Sequence, residues 1–213
     1  MCPTQRPPDP VSPDGSRPGS LAAAKRALRD QLLTTRHRLS LAELGAGSAS
    51  LAEVLLATEE VRRAATVAAY VAIGTEPGTG PLLDGLVAAG KRVILPVLLP
   101  DDDLAWAAYE GPRSLAAARR GLLEPVGPRL GVEAVGTADA VLVPGLAADG
   151  SGLRLGRGGG SYDRALGRVP VGTFTCVLLW DDEVLPTGVI PGERHDRRVT
   201  AAATPSGLHR FPR

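Results

Sequence analysis

The sequence predicts an α/β domain whose sheet is largely parallel and covered on both faces. Three observations predict it. Apolar runs with β-branched residues recur along the chain: "AATVAAYVAI" from Ala64 to Ile73, "KRVILPVLL" from Lys91 to Leu99, and "ADAVLVPGL" from Ala138 to Leu146. Runs that stay apolar without alternating suit strands buried on both sides. Segments with helical spacing lie between and around them, the alternation of a parallel sheet with crossover helices. The composition also allows a core: 44% of the 213 residues are hydrophobic, mostly Ala, Leu and Val, and only 3% are aromatic.

The elements follow in order. Residues 1–20, "MCPTQRPPDPVSPDGSRPGS", are rich in Pro, Gly and Ser and are read as a disordered tail, with residues 21–213 as the single domain. The tail has no hydrophobic centre, so no secretion signal is expected, and no apolar run reaches the length of a membrane span. In "SLAAAKRALRDQLLTTRHRLS", Leu21, Leu28, Leu32 and Leu39 recur at helical spacing with Ser20 as the N-cap. Lys25, Arg26 and Arg29 lie off that apolar line, and Lys25 and Arg29 share a face. "LAELGAGSASLAEVLLATEEV" predicts a second helix, weakened by Gly45 and Gly47. After the strand of Ala64–Ile73, "TGPLLDGLVAAG" is a short helix ended by Gly90. Lys91–Leu99 is the next strand, "LAWAAYE" a shorter one, and "SLAAARRG" a helical turn. Ala138–Leu146 leads into a glycine loop and a short helix from about Ser161 to Arg168, "GTFTCVLL" is a further strand, and "RRVTAAAT" the last. Ligands of such sheets sit beyond the carboxyl ends of the strands, so the loops after Ile73, Leu146 and Leu179 are the candidate site.

Charge narrows the function. The 24 basic and 23 acidic residues leave a net charge of +1, which argues against non-specific nucleic-acid binding. The two cysteines, Cys2 in the tail and Cys176 in a buried strand, predict no disulfide and a reducing, cytoplasmic setting.

The informative stretch is "GLRLGRGGGSYDRAL", Gly152 to Leu166, with five glycines and three arginines. Glycines let backbone amides approach and converge on an anion. The helix starting near Ser161 adds unpaired N–H groups, and Arg154 and Arg157 add forked donors suited to phosphate. Together these describe a polyphosphate cradle, while a flexible surface turn with solvated arginines is the plain alternative. Neither the Walker pattern nor the dinucleotide fingerprint fits the spacing. Asp163, in the first turn of that helix, is either a dipole-compensating acid or a Mg²⁺ ligand, and "PGERHDRR" offers further carboxylates at Glu193 and Asp196 beside His195, to which no role is given.

"VLVPGLAADGSGLRLGRGGGSYDRAL" resembles the signature of the 5-formyltetrahydrofolate cyclo-ligase family, also called methenyltetrahydrofolate synthetases. "KRALR", "YVAIGTEPGTGPLL" and "VIPGERHDRRV" resemble three further family stretches in the same order, and the likeness runs from about Leu21 to Thr204. The resemblance implies a doubly wound α/β sheet of the type shared with sugar-phosphate isomerases and CoA transferases. It implies ATP- and Mg²⁺-dependent closure of 5-formyltetrahydrofolate to 5,10-methenyltetrahydrofolate through a phosphorylated formyl group, by a monomer. By position it assigns ATP to Lys25, Arg26, Arg29, Arg154, Leu155, Gly156, Arg157, Gly158, Gly159, Gly160, Ser161 and Tyr162. The folate falls to Val71, Glu76 and the stretch Arg157 to Ser161, the metal to Asp163 and Asp196, and catalysis to Arg157, Gly158, Gly160 and Tyr162. Two positions depart from the family pattern: Ser161 stands where a first tyrosine is usual, and Ala148 where an aromatic often precedes the turn aspartate. The remaining readings are a diverged relative that binds without turnover and an isomerase on the same fold.

Overall fold

The computed structural model describes residues 18–193 and 196–212, so most of the tail, Cys2 and His195 lie outside the described residues. The helices are α1 (Pro18–Arg36), α2 (Leu41–Ala57), α3 (Glu59–Arg63), α4 (Gly80–Ala88) and α5 (Ser161–Gly167). The strands are β1 (Thr66–Ala68), β2 (Arg92–Leu98), β3 (Leu104–Tyr109), β4 (Leu115–Ala117), β5 (Leu123–Pro125), β6 (Arg129–Gly131), β7 (Ala140–Pro144), β8 (Ala147–Asp149), β9 (Arg154–Leu155), β10 (Phe174–Leu178), β11 (Val184–Leu185), β12 (Ala201–Thr204) and β13 (Gly207–Arg210).

Eight strands form one sheet in the order β13-β12-β10-β7-β1-β2-β3-β6. The five central strands, β12 through β2, run parallel, with Val67 opposite both Val93 and Ala140. The edges are antiparallel. Connection length explains them: the turns from Leu98 to Leu104 and from Thr204 to Gly207 are far too short for a parallel crossover. Alternate residues of the central strands face opposite ways. Val67, Leu95, Leu142, Cys176 and Ala203 pack with Leu51 and Leu55 of α2 and with Leu82 and Leu86 of α4. Ala68, Ile94, Val143, Val177 and Ala202 pack with Ala165 and Leu166 of α5 on the other side. Both faces are covered, which is why these strands are apolar at nearly every position, with polar residues such as Thr66, Arg92 and Thr204 at their ends.

Several expectations need correction. Helix α1 begins at Pro18, so Ser20 lies in its first turn and is not its N-cap; proline suits a first helical position, where its missing N–H would be unpaired anyway. The second helical segment breaks at Thr58, whose extended backbone separates α2 from α3. "SLAAARRG" is a helical turn only at its end: Leu115–Ala117 pairs with Leu123–Pro125 as a hairpin, and the tight turn Arg119–Gly121 at its tip is broken by Arg120, which takes a left-handed conformation at φ 58. "RRVTAAAT" is followed by a further strand, β13. Strand β1 is shorter than the apolar run that encodes it, because the chain leaves the sheet after Ala69 and becomes a wall of the cleft described below.

Helix α1 belongs to neither sheet face. Its Leu32, with Leu28 and Leu33, packs on Leu146, Leu153 and Leu155 around the small sheet β11-β8-β9. At its end Arg36, 1% exposed, donates through Nε and Nη2 to Glu183 at 2.6 and 2.7 Å and through Nη2 to the Gly145 carbonyl at 2.7 Å. Glu183 also accepts from the Trp180 amide at 2.8 Å. Burial pushes the Glu183 carboxyl up, against the pull of Arg36. No single helix among the described residues is long and apolar enough to cross a membrane.

Candidate active site

A cleft of about 560 Å³ opens at the carboxyl ends of β1, β2 and β7. It gathers nearly all of the residues singled out in the sequence: Lys25 and Arg29 from α1, Val71 and Glu76 from the loop after β1, the run Arg154–Asp163, and Asp196. Arg26 is not among them; it is one residue on from Lys25, about 100° around the helix, and faces solvent. The loop after Leu179 does not line the cleft but supports it from behind. Trp180 Nε1 donates to the Thr75 carbonyl at 3.0 Å, next to Glu76, and its ring lies against Gly47 where a β-carbon would overlap it.

The glycine loop is shaped by an aspartate turn. Asp149 accepts from the amides of Ser151, Leu153 and Gly188 and from the Ser151 hydroxyl, at 2.5 to 3.3 Å. This turn joins β8 to β9 and delivers Arg154. Burial opposes ionisation of Asp149, but those hydrogen bonds outweigh it and hold its carboxyl below the ordinary 3.8. The folded carboxyl is the stronger acid, so its stabilisation is complete above the unfolded value and is lost as pH falls through the folded one. Asp149→Asn is expected to cost about 1–3 kcal/mol at neutral pH and to flatten the acid side of the stability profile, which thermal melts across pH would show.

Beyond β9 the chain winds through left-handed Gly158 and Gly160, at φ 99 and 71, into α5. Gly160 is the N-cap, so Ser161 is the first helical residue and not the cap. Arg29 Nε donates to the Gly156 carbonyl at 2.8 Å, tying α1 to the loop. Leu155 reaches the cleft from the core beneath α1.

Two clusters of charge face each other. At one end Lys25 Nζ donates to Glu193 Oε2 and Asp196 Oδ2, both at 2.7 Å. Arg154 Nη2 donates to Asp163 Oδ1 at 3.0 Å, and the Arg197 amide reaches the same oxygen at 3.3 Å, bringing the segment of Asp196 beside Asp163. At the other end Glu76, 8% exposed, accepts from the Ile73 amide at 3.0 Å and from Arg157 Nε at 3.1 Å. Arg157 is the solvent-facing partner, its side chain 47% exposed. Tyr162 packs against both faces of the core, and burial, reinforced by the Glu76 charge, pushes its phenol far up.

The sequence reading missed the apolar wall: Pro96, Leu98 and Leu104 from the sheet and Leu122 and Leu123 from the β4–β5 hairpin. It also missed Tyr70 on the floor. The signal for the hairpin was "GLLEP", two leucines between a glycine and a proline, in a segment that looked helical.

A family model for the 5-formyltetrahydrofolate cyclo-ligase family matches residues 21–205. A 5-formyltetrahydrofolate cyclo-ligase of Mycolicibacterium smegmatis is 46% identical over 145 residues, 66% of this chain and 73% of that one. The Escherichia coli protein of the same name is 36% identical over 150 residues, 66% of this chain and 78% of its own. The solution structure of Aquifex aeolicus 5,10-methenyltetrahydrofolate synthetase is similar with a TM-score of 0.76 at 29% identity, covering 89% of this chain and 93% of that one.

Proposed function

This chain belongs to the 5-formyltetrahydrofolate cyclo-ligase family, and we propose that it closes 5-formyltetrahydrofolate to 5,10-methenyltetrahydrofolate with cleavage of ATP to ADP and phosphate. The observation that carries the proposal is the joining of two half-sites in one cleft, a glycine–arginine loop suited to phosphate and a buried carboxylate suited to ring N–H groups, linked by the Arg157–Glu76 pair at 3.1 Å.

The chemistry sets the task. The N5-formyl oxygen is part of an amide and leaves poorly. It attacks the γ-phosphorus, and the bond to the bridging oxygen of ADP breaks. N10 then attacks the activated formyl carbon and gives up its proton, and the carbon–oxygen bond breaks to release phosphate. The chain's part is positioning and charge. The amides of Gly156 to Gly160 and the guanidinium of Arg157 hold the transferring group, as phosphoryl transfer requires. Arg29 holds the loop in register through Gly156. Glu76 accepts from the pterin N–H groups, Val71 and the leucine wall cover its ring, and Tyr162 packs beside it.

The carboxylates fit magnesium. Among the described residues no three metal-binding side chains gather; Asp163 and Asp196 would supply two hard oxygen donors, with phosphate oxygens and water completing the shell. Bound there, Mg²⁺ would neutralise charge on the phosphates. Lys25, held now by Glu193 and Asp196, and Arg154, held by Asp163, are placed to turn to the same phosphates. The same reading takes the enzyme as a monomer, and the even balance of charge suits a cytoplasmic one.

Oxygen labelling tests the reaction. Heavy oxygen in the formyl group is expected in the released phosphate; unlabelled phosphate would contradict attack by that oxygen. The ion pair offers a second test. Pterin N–H groups must displace Arg157 from Glu76, which releases the guanidinium toward phosphate. Glu76→Gln is therefore expected to weaken folate binding about tenfold and to tighten a non-hydrolysable ATP analogue severalfold. Calorimetry would show both, and the tightening should vanish when Arg157→Gln is added.

A further inference from the structure

Tyr70 follows β1 by two residues and lines the cleft floor, in the same loop as Val71, Ile73 and Glu76. The residue is 3% exposed, and its hydroxyl is sealed from solvent without a hydrogen-bond partner among the described residues. The ring alone fills its place in the core beside Leu82 and Ala69. A phenylalanine would do that equally well, and a buried hydroxyl with no partner lowers stability for nothing in return. An orphaned donor at the floor of a ligand cleft is what a group kept for the ligand looks like.

We infer that the Tyr70 hydroxyl donates to the carbonyl oxygen that flanks the N–H accepted by Glu76, so that the two side chains together read a lactam edge and Tyr70 is a specificity-determining residue. The inference rests on the pterin reading of Glu76. The two groups are complementary to that edge in order: an ionised carboxylate can only accept and meets the N–H, while a protonated phenol donates to the neighbouring C=O. The phenol stays protonated, because burial, and after it the Glu76 charge, push its pKa well above the ordinary 10.0. A ring with an amino group in place of that carbonyl cannot accept the phenolic proton; it meets only the phenol oxygen, a weak acceptor because its lone pair is delocalised into the ring, and so gains far less from the hydroxyl.

The test is Tyr70→Phe, which removes one oxygen and keeps the ring. Equilibrium binding of 5-formyltetrahydrofolate and of a 2,4-diaminopteridine analogue is measured for both proteins, with the melting temperature of each. The variant is expected to bind the formylated folate about tenfold more weakly, the loss expected for one neutral hydrogen bond, to hold the diamino compound within about twofold, and to melt no lower than the wild type. Unchanged folate affinity, an equal loss for both compounds, or a melting point lowered by several degrees would each overturn the assignment, the last by showing that the hydroxyl serves the fold. Wild-type protein that binds no folate would overturn the assignment together with the function it rests on. Wild-type protein that binds folate, whatever its turnover, leaves Tyr70 to be judged by the two ratios alone.

Discussion

Arg36→Ala is expected to cost about 3–5 kcal/mol of folding stability, the scale for breaking a buried ion pair by removing one partner. For a chain of this size that lowers the melting temperature by roughly 6–20 °C. The reason is what remains. Glu183 would stay 2% exposed with, among the described residues, only the Trp180 amide to answer its carboxylate, and the Gly145 carbonyl would lose its donor. Replacing both partners, Arg36→Met with Glu183→Leu, should cost clearly less than Arg36→Ala, because no charge is then left buried. The damage should reach the cleft: Glu183 holds Trp180, and Trp180 holds the Thr75 carbonyl beside Glu76. Circular dichroism melts of the three proteins check the order, and a single variant as stable as the wild type would contradict it.

Asp163→Asn is expected to cut turnover by about a hundredfold, the scale lost when a charge stabiliser leaves a transition state. Asparagine keeps a carbonyl oxygen for Arg154 Nη2 and for the Arg197 amide, so the fold and the loop should survive. What is lost is the negative charge offered to magnesium, and Asp196→Asn should fall in the same way. Initial rates across a magnesium titration would show the variant needing far more metal. A wild-type rate unchanged by EDTA would refute the metal assignment.

The parallel core was legible because its strands are buried on both sides, and nothing else in the chain is apolar for so long. The site was legible where residue chemistry is local: the glycine loop and the Lys25–Arg29 face both carry their signal within a few residues. What escaped was set by distant partners. The β4–β5 hairpin contains Ala, Leu and Arg that favour a helix, and only pairing of Leu115 with Pro125 overrides that preference. Gly47 reads as a flaw in α2 until Trp180, far along the chain, is found lying on it. Tyr70 looks like one more apolar residue of a strand; its unpaired hydroxyl exists only once the loop after β1 has folded over the cleft. Arg26 was drawn in by its neighbours, since a short basic run does not say which way each side chain turns.

In the function proposed above, one cleft couples nucleotide cleavage to closure of the folate ring. The most direct measurement mixes the protein with MgATP and 5-formyltetrahydrofolate and follows the near-ultraviolet absorbance of the methenyl product alongside ADP. The two products are expected to rise together, one for one, and omitting either substrate is expected to abolish both. ADP formed at the full rate without the folate, or no methenyl absorbance from protein that binds both ligands, would contradict that coupling.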